Sequence, residues 1–521
     1  MYLVTAKEMQ KIDNKTIKSF GMAGEILMEN AGRGAFDMLV DLFPEIALKK
    51  VCILAGRGNN GGDGFVIARY LIEKKVKTGI FILCERGKIK GDAKTNLTLL
   101  EKLCEKTKLG YIKEIPDKDT FLKYKNKILH YNIFVDAILG TGLNSDVRGF
   151  FRDVIETCNS SSNPIFSIDI PSGLNANTGK PLGVCIKANS TATFAFAKIG
   201  HILYPGNEFT GKLKIINIGI PGFIVKNTPP LVHLLDKKMI KLLFVPRNSQ
   251  SHKGDFGHLF VIAGSIGKTG AAALTCNAAM ACGAGLVTLG IPKSLNSTLE
   301  PQVIETMTLP LPEEKKGYLS DIAFNKIQKF IIKKNVLALG PGLGTEKSTK
   351  KLVQKLIENI EIPIIIDADA LNLIAGKPEI LKKRKAPVIL TPHPGEMARL
   401  SNKSIKQIQE NRTESAREFA AKFNVIVVLK GAQTIIALPD NKIFICTWGN
   451  SGMASGGMGD VLTGIIASLI AQNFSCLNAA IAGVYIHGMC GDILAKTIGS
   501  FGFLASDMIN TIPRAINNIL K

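Results

Sequence analysis

The chain has 521 residues, of which 46% are apolar, so it is long enough for two or three domains with sizeable cores. Its formal net charge is +22 at pH 7, but the basic residues are scattered and form no stripe interleaved with aromatic residues of the kind that nucleic-acid sites use. The composition therefore favours dispersed surface lysines, with small phosphorylated ligands, over a polyanionic partner.

Cysteine usage and apolar segments indicate the compartment. The ten cysteines include no C-x-x-C pair, which argues against a disulfide framework and a zinc site. The N-terminus reaches Lys7 and Glu8 without a long apolar segment, so no signal peptide is expected. Residues 270–291 lack charge over 22 positions, but their many Gly, Ala, Thr and Cys residues predict a buried helix followed by a strand at 286–291. We expect a cytoplasmic protein without a membrane or nucleic-acid partner.

The first part of the chain alternates apolar runs with helical patterns. Thr5 and Glu8 form a capping box that opens a helix. One face of this helix carries Met9, Ile12, Thr16, Ile17 and Phe20. Further elements are predicted as strands at 51–55, 79–84, 133–138 and 165–170 and as helices at 64–75 and 92–106. This alternation predicts a parallel sheet covered by helices on both faces.

The pattern breaks after Gly222. Residues 223–245 contain Pro229, Pro230 and mixed charges, which predicts a linker. Alternation then resumes, with strands predicted at 258–263, 286–291, 336–339, 363–366, 388–390 and 425–429 and helices from about 270 and after Asp460. The sequence therefore predicts two α/β domains, at 1–222 and 246–521.

A glycine-rich segment at 56–64 lies between a predicted strand and a predicted helix, with five glycines in nine residues. Glycine allows close backbone approach, and a helix N-terminus favours phosphate. The Asn59 and Asn60 carboxamides offer hard oxygen ligands for a cation. Asp136 and Asp169 end two more strands, at the edge where open α/β sheets bind ligands. Either acid can cap a turn, but three segments ending at one edge favour a shared pocket.

These motifs resemble the YjeF N-terminal domain, the NAD(P)H-hydrate epimerase family, over residues 1–222. The matching sequences are Asn-Asn-Gly-Gly-Asp at 59–63, Val-Asp-Ala-Ile-Leu-Gly-Thr-Gly at 135–142, Asp-Ile-Pro-Ser-Gly-Leu at 169–174 and Phe-Ala-Lys-Ile-Gly-His at 196–201. The resemblance implies a Rossmann-like three-layer αβα domain with a potassium ion held by Asn60, Asp136 and Ser172.

The same resemblance implies how the hydrated dinucleotide is held. Asp169 is expected to be the acid–base carboxylate and a substrate contact, with Lys198 in a supporting role. The remaining contacts are expected in two loops, at Asn59, Asn60, Gly61, Gly62 and Asp63 and at Gly140, Thr141, Gly142, Leu143, Asn144, Ser145 and Asp146. Because the C6 hydroxyl must leave and return during epimerisation, proton transfer at that group is required.

A second glycine-rich motif, Gly-Met-Gly-Asp at 457–460, precedes an apolar helical run. Backbone N–H groups and a helix N-terminus can hold phosphate, and Asp460 can accept a proton from a substrate hydroxyl. These are the requirements of phosphoryl transfer. Residues 264–269 end in Gly-Lys-Thr, but Ile262 stands where the P-loop template needs glycine, so a Walker A motif is rejected.

Four further segments follow predicted strands, at 339–344, 366–371, 390–396 and 429–434. Thr-Pro-His-Pro-Gly-Glu at 391–396 together with Gly-Gly-Met-Gly-Asp at 456–460 resembles the ADP-dependent NAD(P)H-hydrate dehydratase family, a ribokinase-like αβα fold, over residues 246–521. The resemblance implies adenine nucleotide contacts at Lys430, Gly431, Ala432, Gln433, Thr434 and Gly459. It implies hydrated dinucleotide contacts at Ala271, Gly344, His393 and Asp460.

The implied dehydration uses Asp460 to activate the C6 hydroxyl, which takes the terminal phosphoryl group of ADP before phosphate is expelled. Magnesium is expected to bridge the phosphates. Asp367 and Asp369 are either its ligands or caps at strand ends. His393 alone would be interpreted as a capping histidine, whereas its motif indicates a substrate contact.

Together the two resemblances imply a bifunctional repair enzyme for hydrated NADH and NADPH, which we expect to be a homo-oligomer. It would interconvert the R and S forms and dehydrate the S form with ADP, releasing AMP and phosphate. One alternative is a kinase for a sugar or vitamin hydroxyl. Another is a non-catalytic scaffold in RNA metabolism, which predicts loss of the cation and acid positions, yet Asn60, Asp136, Asp169 and Ser172 are all present.

Overall fold

The computed structural model describes all 521 residues and divides into two compact units. One comprises Tyr2–Leu231, and the other comprises Val232–Lys521 with Met1. Each is an α/β domain with its own mainly parallel sheet. We call them the N-domain and the C-domain.

The N-domain alternates strands and helices along the chain. Its strands are β1 (Tyr2–Val4), β2 (Lys50–Ala55), β3 (Lys77–Ile82), β4 (Gly110–Glu114), β5 (Ile133–Ala137), β6 (Ile165–Ile168), β7 (Ser190–Phe194), β8 (Ala197–Lys198) and β9 (Lys212–Ile216). Its helices are α1 (Ala6–Asn14), α2 (Gly24–Leu42), α3 (Asn59–Glu73), α4 (Gly91–Thr107), α5 (Lys118–Leu129), α6 (Phe150–Asn159), α7 (Ile199–Ile202), α8 (Gly206–Thr210) and α9 (Gly222–Lys226).

The main N-domain sheet is entirely parallel, in the order β4-β3-β2-β5-β6-β7-β9. Apolar side chains alternate along β2: Val51 and Ile53 belong to the core under α2, α3 and α4, whereas Cys52 and Leu54 belong to the core under α5 and α6. Helices therefore cover both faces and make three layers. The strand order reverses between β2 and β5, which is where such sheets open a ligand crevice at the carboxyl edge.

The C-domain has ten strands and twelve helices. Its strands are β10 (Val232–Leu234), β11 (His258–Ile262), β12 (Leu286–Pro292), β13 (Met307–Leu311), β14 (Val336–Leu339), β15 (Ile364–Ile366), β16 (Val388–Leu390), β17 (Ile426–Leu429), β18 (Thr434–Ala437) and β19 (Ile443–Cys446). Its helices are α10 (Lys237–Lys241), α11 (Thr269–Ala281), α12 (Asn296–Leu299), α13 (Phe324–Ile331), α14 (Lys347–Asn359), α15 (Ala368–Ala375), α16 (Pro394–Ser401), α17 (Ile405–Glu410), α18 (Arg412–Phe423), α19 (Met458–Ala471), α20 (Cys476–Thr497) and α21 (Ala505–Leu520).

The C-domain sheet runs β13-β12-β11-β14-β15-β16-β17-β18-β19-β10. Its strands are parallel from β13 to β17, and β18 is antiparallel to both neighbours. Leu259 and Val261 of β11 belong to the core that α11, α19, α20 and α21 share. Phe260 points to the other face, where its ring lies 5.0 Å from that of Phe330 in α13. Both faces are covered, and the strand order reverses between β11 and β14.

The predicted strands and helices are present, with shifted ends. Helix α3 begins at Asn59 rather than at Gly64, because residues 59–63 are already helical. The helix predicted from Thr5 has the predicted capping box but ends at Asn14, and a π-helical turn follows over Lys15–Ser19. This wider turn changes the phase of the helix, and Phe20 is half-exposed.

The segment expected to link the domains contains regular structure. It includes α9, β10 and α10, and β10 pairs in parallel with β19 of the C-domain sheet. The charge-free residues 270–291 form the predicted buried helix and strand, α11 and β12. Helix α20 is apolar and long enough to cross a membrane, but it packs on α19 and α21 and most of its apolar window is buried, as in a core helix.

Candidate active sites

A cavity of about 1190 Å³ opens in the N-domain at the carboxyl edge of the sheet. Of the predicted substrate-binding residues, its lining includes Asn59, Asn60, Asp63, Gly140, Thr141, Gly142, Leu143, Asn144 and Asp169. The other predicted residues, Gly61, Gly62, Ser145 and Asp146, do not line it. Gly61 instead allows the loop to close, because a Cβ there would lie 2.0 Å from the Gly56 carbonyl oxygen.

Asp169 and Lys198 form an ion pair inside this cavity. Asp169 follows β6 with a left-handed φ of 61°, and its Oδ1 accepts hydrogen bonds from Lys198 Nζ and, at 3.3 Å, from Thr193 Oγ1. The Lys198 side chain is 1% exposed, and its Nζ also donates to Thr193 Oγ1 at 2.8 Å. The buried ammonium therefore fixes the position of the Asp169 carboxylate.

Two further carboxyls adjoin this pair. Burial, followed by the charge of Asp169, raises the pKa of Asp63 well above its usual value. Burial also raises the pKa of Asp13 to about 6, against the opposing charge of Lys198. Asp13 lies on α1 and lines the cavity. The sequence analysis missed Asp13, because no local motif marks it and only the fold brings it to the site.

The three residues expected to bind potassium lie together. Asp136 is the penultimate residue of β5 and is 1% exposed. Its Oδ2 accepts hydrogen bonds at 2.8 Å from both Ser167 Oγ and the Ser172 backbone N–H. Ser172 Oγ also donates to Asp136 and accepts the Leu139 backbone N–H at 2.9 Å. Asn60 Nδ2 donates to the Leu139 carbonyl at 3.1 Å.

This group of oxygen atoms suits a hard monovalent cation. Asn60 Oδ1 is buried and has no hydrogen-bond partner, which is the state expected of an oxygen reserved for a ligand. The Asp136 carboxylate supplies a negative charge, although burial raises its pKa against the hydrogen bonds from Ser172 and Ser167. Oxygen donors with a single carboxylate fit potassium better than a transition metal.

In the C-domain, several segments converge at the carboxyl edge. Asp460 lies in the first turn of α19, whose N-cap Gly457 has a left-handed φ of 88°. Asp367 and Lys430 directly follow β15 and β17, and His393 lies three residues after the end of β16. Gly344 lies in the loop after β14. A Cβ on Gly459 would lie 3.0 Å from Lys430 Nζ, so the glycine admits the lysine.

Lys430 lies among the buried acids of this site. Its Nζ donates to Asp367 Oδ1 at 2.8 Å and lies 4.0 Å from Glu396 Oε2. Burial would lower the pKa of Lys430, but the charges of Asp367 and Glu396 outweigh it and raise the pKa. Burial, followed by the charge of Asp367, raises the pKa of Asp460 to about 7, with Lys430 opposing.

Glu396, like Asp460, is a carboxyl whose pKa is raised by burial. Burial raises its pKa to about 7, although Lys430 and the His393 N–H favour its charged form. Asp460 and Glu396 are therefore each able to change protonation near neutral pH, as acid–base catalysts require. The sequence analysis did not single out Glu396, which lies in the quoted Thr-Pro-His-Pro-Gly-Glu motif.

The side chains of Asp367 and Asp369 bond to groups outside α15, the helix that follows β15. Asp367 accepts from Lys430 and, at 2.9 Å, from Thr463 Oγ1, and it makes no side-chain cap bond to α15. Asp369 Oδ2 accepts from Lys268 Nζ at 2.8 Å and from the Gly344 N–H at 2.9 Å. The capping alternative is therefore wrong for Asp367, whose carboxylate bonds to side chains distant in sequence.

The remaining predicted contacts lie around this cluster. His393 caps α16. Its ring Nδ1 accepts a hydrogen bond from the Gly395 backbone N–H at 3.0 Å, and its backbone N–H donates to the Glu396 carboxylate. The loop Lys430, Gly431, Ala432, Gln433 and Thr434 joins β17 to β18. Arg412 holds this loop by donating to the Ala432 and Lys430 carbonyls. Ala271 lies in the first turn of α11, beside Gly342.

Two α/β domains, each with ionisable side chains gathered at the carboxyl edge of its sheet, define a two-domain enzyme. The NAD(P)H-hydrate dehydratase family model matches residues 259–514, and the YjeF-related protein N-terminus model matches residues 24–200. The bifunctional NAD(P)H-hydrate repair enzyme of Moorella thermoacetica is 38% identical over 520 residues, covering 100% of this chain and 97% of the relative.

The corresponding enzyme of Escherichia coli is 34% identical, covering 98% of this chain and 93% of the relative. An ADP/ATP-dependent NAD(P)H-hydrate dehydratase from Bacillus subtilis, co-crystallised with ATP and Mg²⁺, is 29% identical. It covers 55% of this chain and 99% of its own, with a TM-score of 0.48. The chain belongs to the family of bifunctional NAD(P)H-hydrate repair enzymes.

Proposed function

We propose that the N-domain interconverts the R and S forms of hydrated NADH and NADPH, and that the C-domain dehydrates the S form with ADP, releasing AMP and phosphate. One observation carries this proposal: each domain brings its own carboxylate and a lysine whose charge acts on it to the carboxyl edge of its sheet. Asp169 is bonded to the buried Lys198, and Asp460 lies within the field of Lys430. The two sites supply the two reactions that together repair both epimers.

In the N-domain, we infer that the dinucleotide occupies the cavity and that the C6 hydroxyl lies against Asp169. Lys198 holds the Asp169 carboxylate in place and balances its charge in the buried site. The carboxylate so placed can take a proton from the returning water, and in the reverse direction the protonated carboxyl returns that proton to the departing hydroxyl. The first turn of α3 directs backbone N–H groups toward the dinucleotide phosphates.

In the C-domain, Asp460 takes the proton from the C6 hydroxyl, whose oxygen then bonds to the terminal phosphorus of ADP as the bond to AMP breaks. The C6–O bond breaks next, phosphate leaves, and loss of a proton from C5 restores the dihydropyridine. A pKa near 7 suits Asp460 to this task, because the carboxylate is available at neutral pH and basic enough to accept the proton.

Potassium and magnesium are part of the proposal. Asn60, Asp136 and Ser172 would hold potassium, which supplies positive charge beside the phosphate-binding loops. In the C-domain, Asp367 and Asp369 are bonded to lysines, and no group of three His, Cys, Asp or Glu side chains forms a metal cage. Magnesium would therefore be held mainly through the phosphates of the nucleotide, whose negative charge it would balance.

We also propose the organisation of the protein. The epimerase domain spans 1–222, a linker spans 223–245 and the dehydratase domain spans 246–521. We propose a cytoplasmic homo-oligomer that acts on small molecules, without nucleic-acid or membrane partners. The scattered basic residues support this view.

The proposal is tested with the separated S epimer of NADH-hydrate, magnesium and ADP, followed by phosphorus NMR and NADH absorbance. We expect NADH, AMP and phosphate in equal amounts. An intact nucleotide with no NADH would refute the dehydratase assignment. A stable phosphorylated product from a sugar or vitamin hydroxyl would support the kinase alternative instead.

A further inference from the structure

Helix α1 brings the carboxyl of Asp13 into the epimerase cavity, and this carboxyl has no role in the reaction proposed above. Asp13 lines the cavity near Asp169 and Lys198, whose charges act on it, and Asp63 is part of the same cluster. Asp13 also precedes residues 24–200, which the family model matches. The cluster therefore receives acids from three separate elements: α1, the N-terminal part of α3 and the segment after β6.

The chemistry of epimerisation calls for more than one such group. The C6–O bond must break on one face of the ring, and a new C6–O bond must form on the other. Lys198 holds the Asp169 carboxylate in one position. A single carboxyl held in one position cannot serve both faces of the ring without the substrate turning over. A second acid–base group in the cavity removes that requirement.

We propose that Asp13 is the second acid–base residue of the epimerase site and serves the ring face that Asp169 does not. This inference rests on the proposed epimerase function of the N-domain. Asp13 is the better candidate than Asp63 because Asp63 is 7% exposed and its pKa is raised further, so it releases its proton less readily. Asp13 is less deeply buried, and its pKa of about 6 allows both protonation states near neutral pH.

The two carboxyls divide the proton transfers of epimerisation between them. One carboxyl donates a proton to the C6 hydroxyl, the C6–O bond breaks, and the ring nitrogen lone pair forms a C=N⁺ bond as water leaves. A water molecule then adds to C6 from the other face, the C=N⁺ electron pair returns to nitrogen, and the second carboxyl takes the proton. The two carboxyls exchange roles for the reverse direction, and one water is released for each water added.

The test measures epimerisation of a single isolated epimer by chromatography in the full-length protein without ADP, so that dehydration cannot consume it. For Asp13→Asn we expect kcat to fall at least ~100-fold after subtraction of the spontaneous rate, with KM within about threefold of wild type. Asp13→Glu should recover part of kcat. The wild-type pH profile should have a limb near pH 6, acidic for the epimer on which Asp13 acts as the base and basic for the other epimer, and this limb should be absent from the Asn variant.

Asp119→Asn is the matched control, because Asp119 is exposed on α5 and does not line the cavity. Dehydration of the isolated S epimer with ADP reports that each variant is folded in its C-domain, and circular dichroism of the whole chain reports the rest. Unchanged kcat in Asp13→Asn, or an increase in KM alone, would overturn the proposal for Asp13. Absence of epimerisation in the wild type would instead refute the epimerase function itself.

Discussion

Asp460→Asn should make the C-domain more stable at neutral pH while it abolishes dehydration. Asp460 has a pKa near 7 in the folded protein against 3.8 for the free side chain, so folding opposes its ionisation by about 4 kcal/mol at most. The folded state holds the proton more tightly, so stability is lost as pH rises from 3.8 to about 7. Asparagine does not ionise, and we expect it to gain about 2–4 kcal/mol at pH 8.

The gain should be much smaller at pH 5, where wild-type Asp460 remains protonated in the folded protein. The single tryptophan, Trp448, lies in the C-domain against Tyr485, so its fluorescence during urea unfolding reports on that domain. Asp440→Asn is the control: its partial burial is outweighed by hydrogen bonds from Lys442, which lower its pKa. Because Asp440 is exposed, Asp440→Asn should lower the free energy of unfolding by less than about 1 kcal/mol. Equal increases in the free energy of unfolding at pH 5 and pH 8 for Asp460→Asn would refute the raised pKa assigned to Asp460.

Three further changes test the two sites. Asn60→Ala should raise the potassium concentration for half-maximal epimerisation at least ~10-fold in choline-buffered titrations and leave dehydration unchanged; an unaltered titration would exclude Asn60 as a ligand. Gly61→Ala should reduce epimerisation, because its Cβ would meet the Gly56 carbonyl oxygen at 2.0 Å; the wild-type rate would show that the loop can shift freely. Lys430→Met should lower the free energy of unfolding by about 3–5 kcal/mol, measured by Trp448 fluorescence, because it leaves the buried Asp367 without its cation. Adding Asp367→Asn to this variant should restore most of the lost stability, and no restoration would argue against the ion pair.

Much of the fold was predictable from local pattern. Strands such as β14 and β16 are short, apolar runs bounded by glycine or proline, and the structure places both at the predicted residues. Element ends were less predictable, because glycines at 61, 62 and 64 obscured the start of α3 at Asn59. The π-helical turn after α1 has no sequence pattern that the helical period can detect.

The candidate sites divide in the same way. Motif residues at strand ends, such as Asp169 and Lys430, were found because the carboxyl edge of a parallel sheet gathers whatever follows its strands. The partners of these residues were not predictable: Lys430 and Asp367 are separated by 63 positions. Asp13 reaches its cluster only because α1 lines a cavity whose other walls come from later elements.

The measurement that tests the central claim most directly mixes the protein with both epimers of NADH-hydrate, ADP and magnesium and follows the return of NADH absorbance. Our account predicts fast, complete conversion that requires ADP, because the N-domain keeps supplying the S form to the C-domain. A fast phase that stops at the initial S fraction would contradict the epimerase assignment. No return of NADH would contradict the repair function as a whole.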